Sequence, residues 1–171
     1  MMNREQFLQR LEDLNLPKKK YVVIAGGAML LHGLRKQTND LDISVDHDLF
    51  QKILKNKHPF GSIEFKPPAY VPSGYRKGET IHVSDDVEIS AGGKSLICGT
   101  PVEIDGHLVQ SIKDIHAFKS KLNRPKDQPD LKVLKAAMDK ENEHHPKPNV
   151  RKEHEYEKRK TPRGVYRVGK F

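Results

Sequence analysis

Apolar and polar residues change rhythm several times along this chain, and each change marks an element. Residues 3–15 place Phe7, Leu8, Leu11 and Leu14 at helical spacing, with Asn3 positioned to cap the start. Pro17 and the lysine run 18–20 end that helix. Residues 21–25 are a short apolar, β-rich run, broken by Gly26-Gly27. Residues 28–34 (AMLLHGL) predict a helix and residues 35–39 a polar loop. From Asp40 the chain alternates acid and apolar as DLDI, the period of a half-exposed strand.

Beyond that strand, Leu49, Phe50, Ile53 and Leu54 predict a second helix, starting near Asp46 and stopping near Asn56. Asp46 itself reads as its N-cap. Residues 62–66 alternate as a short strand. Residues 66–78 hold three prolines and two glycines and predict a loop, carrying Tyr70, Tyr75 and Arg76. Residues 79–84 and 86–90 form a second β region. Short strands are expected at 94–98 and 102–104, and Asp105-Gly106 is a hairpin turn signal before 107–109. Ser111 opens a helix with Ile112, Ile115, Phe118 and Leu122 on its apolar stripe. Arg124-Pro125 breaks it, and residues 126–142 form another, with Leu131, Val133, Leu134, Ala137 and Met138 as the buried side.

These elements predict an α/β (α+β) fold: a small mixed β-sheet with flanking helices, a helical C-terminal part and a basic tail. The expected division is a domain over 1–143 and a tail over 144–171. Charge sharpens that division. The net charge is +8, and residues 144–171 hold nine Lys or Arg against three Glu, so the preceding part carries only +2. A single cysteine, Cys98, excludes an intrachain disulfide framework and fits a reducing compartment. No apolar run approaches the ~18 residues of a membrane span, so a cytoplasmic protein with no membrane partner is expected. The nine histidines show no zinc-ligand spacing.

The chemistry concentrates in residues 21–46. Side chains two apart on a strand share a face, roughly 6–7 Å apart. Asp40 and Asp42 would therefore present two carboxylates side by side, with Leu41 and Ile43 turned into the core. Two such acids repel unless a cation sits between them, and hard oxygen donors suit Mg²⁺. A Gly-Gly turn entering a helix offers backbone N–H groups to phosphate. A phosphate cradle beside a metal pair points to phosphoryl or nucleotidyl transfer.

Those residues resemble a known family. Gly26-Gly27, then Arg35, Thr38, Asp40, Leu41 and Asp42, are similar to the Gly-Gly and Arg-x-x-Thr-x-Asp-Leu-Asp pattern of the polymerase-β-like nucleotidyltransferase superfamily. Within it they resemble the small bacterial and phage proteins related to AbiEii-type toxins. Lys119, then Asn123-Arg124-Pro125-Lys126-Asp127 and Asp130-Leu131, resemble a second segment of that family. The resemblance covers roughly residues 20–135. It implies a third catalytic carboxylate on a later strand beside the first; Glu88 is the choice, with Asp86 as runner-up, although the family commonly has Asp there. It implies two Mg²⁺ ions held by Asp40, Asp42 and Glu88, and an NTP substrate. It implies phosphate contacts from Gly26, Gly27, Arg35 and Lys119, with Arg124 supporting them and Thr38 shaping the turn. The expected activity is transfer of an NMP to a hydroxyl, with tRNA or another RNA as acceptor through the basic tail, and a cognate antitoxin as a possible protein partner. The alternative is a non-catalytic nucleotide- or RNA-binding protein that keeps the fold.

Overall fold

A computed structural model of the chain describes residues 1–56, 64–66, 80–84, 86–91 and 99–144. The predicted proline-rich loop with Tyr70, Tyr75 and Arg76, the strand at 94–98 with Cys98, and the basic tail from residue 145 onward lie outside the described residues. A compact unit spans Met1–Met138.

Helix α1 (Arg4–Asp13) is closed at its start by a capping box. Asn3 accepts from the Gln6 amide, and the Gln6 side chain accepts from the Asn3 amide. Phe7, Leu11 and Leu14 are buried. Strand β1 (Tyr21–Val23) leads into α2 (Ala25–Leu31), a linking loop and β2 (Leu41–Val45). Helix α3 (His47–Asn56) follows, then β3 (Glu64–Lys66), β4 (Thr80–Ser84) and β5 (Val87–Ala91). A hairpin of β6 (Val102–Ile104) and β7 (His107–Val109) turns on Asp105 and Gly106, with φ of 50° and 77°. Both central residues in the left-handed region is what the two-residue hairpin requires. Helix α4 (Ile112–Leu122) is capped by Ser111, which accepts from the Asp114 amide at 3.1 Å, and ends at Asn123 in the left-handed conformation. A 3₁₀ turn (Pro125–Asp127) leads into α5 (Gln128–His144).

Among the described residues, seven strands form one mixed sheet in the order β3-β4-β5-β2-β1-β7-β6. β2 lies parallel to β5 and antiparallel to β1, and β1 lies parallel to β7. Alternation sorts the central strands. Leu41, Ile43 and Val45 of β2 and Val87 and Ile89 of β5 enter the core, together with Phe50 and Ile53 of α3. Asp42 and Glu88 point to the opposite face. Among the described residues, no helix is long and apolar enough to cross a membrane.

Three expectations need correction. Gly26 and Gly27 are not a turn before a helix at 28–34; they form the first turn of α2, which begins at Ala25. Asp40 is exposed and lies one residue before β2, so it is not a strand neighbour of Asp42. The last helix starts at Gln128 rather than 126, and Val133 on it is exposed while Leu134 is buried.

Candidate active site

The glycine pair is set by packing. A Cβ on Gly27 would sit 2.4 Å from Phe7 Cζ and 3.2 Å from Val23 Cγ1. A Cβ on Gly26 would sit 2.9 Å from Thr38 Oγ1 and 3.3 Å from Arg35 Nη1. Glycine is therefore what lets α1, β1 and the loop after α2 close around this turn. Ala25 enters the turn at φ 52°, and its amide donates to the buried Gln110 side chain at 3.1 Å. The amides of a helix's first turn have no intrahelical acceptor, and those of Gly26 and Gly27 belong to that turn.

Thr38 is buried and Asp40 is fixed through it. The Thr38 hydroxyl donates to the Asp40 carbonyl at 3.3 Å, and the Thr38 backbone pairs with Met2. Asp42 is half-buried on β2, and the parallel register sets it directly against Glu88 of β5. Burial, then the neighbouring Glu88 and Asp40 carboxylates, push the Asp42 carboxyl up to about 7, against a weaker downward pull from Lys119 and Lys126. Two of the predicted acids thus act on the third, and two lysines from the C-terminal part reach the same point electrostatically.

Asp86 and Asp46 are engaged elsewhere. Asp86 precedes β5 and accepts from Arg10 of α1 through both oxygens, each at 3.1 Å. Asp46 caps α3 by accepting from the Leu49 amide at 2.8 Å; that hydrogen bond holds its carboxyl below the usual range.

The basic residues converge on two acids. Lys119 is only 7% exposed, and its Nζ lies 2.7 Å from Asp127 and 2.9 Å from Asp130. Arg35 donates from Nε to Asp130 Oδ1 at 3.2 Å and from Nη2 to Oδ2 at 2.6 Å. Arg124 donates from Nε to Asp127 Oδ2 at 2.5 Å. Burial pushes both carboxyls up, but the hydrogen bonds from Arg124 and Lys119 to Asp127, and from Arg35 and Lys119 to Asp130, outweigh it and hold both low. Sequence reasoning shows Asp127 and Asp130 only as part of the segment that resembles the family. It missed their role as the anchors of Lys119 and Arg35, which are 8 and 95 residues away from their partners. It also missed Arg10, which carries no local signal.

The donor set fits Mg²⁺ in its chemistry: three carboxylates, one of them half-buried and penalised by the other two. Among the described residues, no three His, Cys, Asp or Glu side chains already converge as a metal ion would need.

Among solved structures, the chain is similar to a candidate nucleotidyltransferase from Thermotoga maritima, with a TM-score of 0.49 and 17% identity over 77% of this chain and 93% of that one. The sequence matches no protein-family model and no curated protein.

Proposed function

We propose that this chain is a Mg²⁺-dependent nucleotidyltransferase, moving an NMP from an NTP to a hydroxyl acceptor. The observation that carries the reading is Asp42: a half-buried carboxylate set against Glu88, close enough to Asp40 to feel its charge, and raised to about 7 by that company. Such a group is costly until a cation arrives. Asp40, Asp42 and Glu88 would hold the metal. When bound, Mg²⁺ would supply charge neutralisation and Lewis acidity for an in-line displacement at phosphorus.

The chain's own residues divide the remaining work. The Gly26 and Gly27 amides would donate to the substrate's phosphates. Arg35 would add positive charge beside them, since its Nη1 borders Gly26 while Asp130 holds its other nitrogens. Lys119, held by Asp127 and Asp130, would fix the field around Asp42. Arg124 would support this arrangement by sharing Asp127. The resemblance to AbiEii-type proteins and the basic composition of residues 144–171 favour tRNA or another RNA as the acceptor, with a cognate antitoxin as protein partner.

One observation favours a second reading, a nucleotide- or RNA-binding protein without catalysis. Arg35, Lys119 and Arg124 are all engaged by Asp127 and Asp130. The test is incubation of wild type and Asp40→Ala/Asp42→Ala with Mg²⁺, each NTP labelled at its α-phosphate, and total RNA. Label on RNA with wild type alone supports the proposal. Label on protein or a small molecule keeps the chemistry and replaces the acceptor. No transfer, with RNA binding that survives the double substitution, supports the second reading.

A further inference from the structure

We infer that Arg10 is a positioning residue for the acidic cluster, acting through Asp86; this rests on the proposed metal-binding role of Asp42 and Glu88. Arg10 grips Asp86 with two parallel donors, Nε to Oδ2 and Nη2 to Oδ1, each at 3.1 Å. A planar guanidinium fork fixes direction as well as distance. The same Asp86 accepts the Leu41 amide on its backbone carbonyl at 2.7 Å. That bond is the first rung of the β2–β5 ladder. Counting from it, Leu41 faces Val87 and Asp42 faces Glu88.

The register matters because strand side chains alternate. A slip by one residue would turn Glu88 to the other face and bring Val87 or Ile89 beside Asp42. This rung is also the end of the ladder, one residue before Asp42, where pairing opens most readily. Arg10 holds that end from α1.

The segment just before the same helix holds the other acid. The Met2 amide donates to the Thr38 carbonyl at 2.7 Å, the Thr38 amide donates back at 3.0 Å, and the Thr38 hydroxyl donates to the Asp40 carbonyl. The N-terminal segment thus ties down both stretches that carry the acids, one through backbone and one through Arg10. The Arg10 and Asp86 side chains are each 36% exposed. A pair so exposed adds little global stability, so its effect is expected at the rung and not across the fold.

The experiment compares wild type, Arg10→Met and Arg10→Lys by amide hydrogen exchange and by calorimetric Mg²⁺ titration. Met keeps the aliphatic stem, and Lys keeps the charge without the fork. In Arg10→Met, the Leu41 amide should exchange about tenfold faster while the Val45 amide, on the same strand, is unchanged. Mg²⁺ affinity should fall about threefold or more, with Arg10→Lys between. Should Arg10→Met not fold, Arg10→Lys carries the same comparison. Unchanged exchange at Leu41, equal acceleration at Val45, or full Mg²⁺ affinity despite a loosened Leu41 would each overturn the inference. Failure of the wild type to bind Mg²⁺ would overturn the metal reading separately. The inference is then decided at Leu41: selective acceleration sustains it, and uniform or absent acceleration removes it.

Discussion

Asp42 and Glu88 stand opposite each other in the parallel β2–β5 pair, on the face away from the core residues Leu41, Ile43, Val87 and Ile89. Nothing in that arrangement favours the fold by itself. Two carboxylates placed side by side, one of them half-buried, cost stability whenever both are ionised. The tolerance of this cost is what makes the pair informative about function.

Stability should therefore depend on pH through Asp42. Its carboxyl is raised in the fold, to about 7, above the ordinary range near 4. Between those values the folded state binds the proton that the unfolded state has lost, so this group's contribution weakens as pH rises through the window. Asp42→Asn should stabilise the protein at pH 8, by about 2 kcal/mol, and have no such effect below pH 4. Urea denaturation at the two pH values checks this; equal effects at both would remove the acidic cluster as the cause.

Metal binding should run the other way. Mg²⁺ requires the ionised carboxylate, so its affinity should fall as pH drops below about 7. Calorimetric titration at pH 6 and pH 8 reads the difference. Saturating Mg²⁺ should raise the melting temperature more at pH 8, where the repulsion it relieves is present.

Gly27 should resist substitution for a packing reason that has nothing to do with phosphate. Gly27→Ala would place a Cβ 2.4 Å from Phe7 Cζ. The expected cost is about 1–3 kcal/mol from overpacking. Adding Phe7→Leu should recover part of it, which double-mutant denaturation measures. No recovery would mean that the glycine's role is not this contact.

The ion-pair cluster should be costly to break from either side. Asp127 is 2% exposed and receives both Lys119 and Arg124. Asp127→Ala should destabilise by about 3 kcal/mol, since it leaves a buried ammonium with one fewer partner. Asp127 and Asp130 are held below their ordinary range, so their contribution is present above about pH 4 and lost as pH falls through the folded values. Asp127→Asn should accordingly flatten the acid limb of the stability profile.

What could be read in the sequence was what local chemistry decides. Asn3, Asp46 and Ser111 cap helices because their side chains reach amides three residues on. Asp105-Gly106 turns a hairpin because both residues accept positive φ. Gly26 and Gly27 were misplaced because their setting depends on Phe7 and Thr38, which are distant in sequence. The cluster around Lys119 was hidden for the same reason: its periodicity puts Lys119 off the apolar stripe, yet two acids from the next turn and helix bury it. The choice of Glu88 rests on family resemblance, since alternation alone puts Asp86 on the same face. The structure adds what neither supplies, the register against Asp42 and the engagement of Asp86 by Arg10.

The Arg35–Asp130 pair joins residues 95 positions apart. During synthesis, then, Arg35 and the glycine turn leave the ribosome long before Asp130, the acid that holds Arg35. A nascent chain would carry Arg35 without the Asp130 that holds it, and Asp42 without the pull of Lys119. The pair can form only once the start of α5 has been translated, so this part of the fold closes late in synthesis.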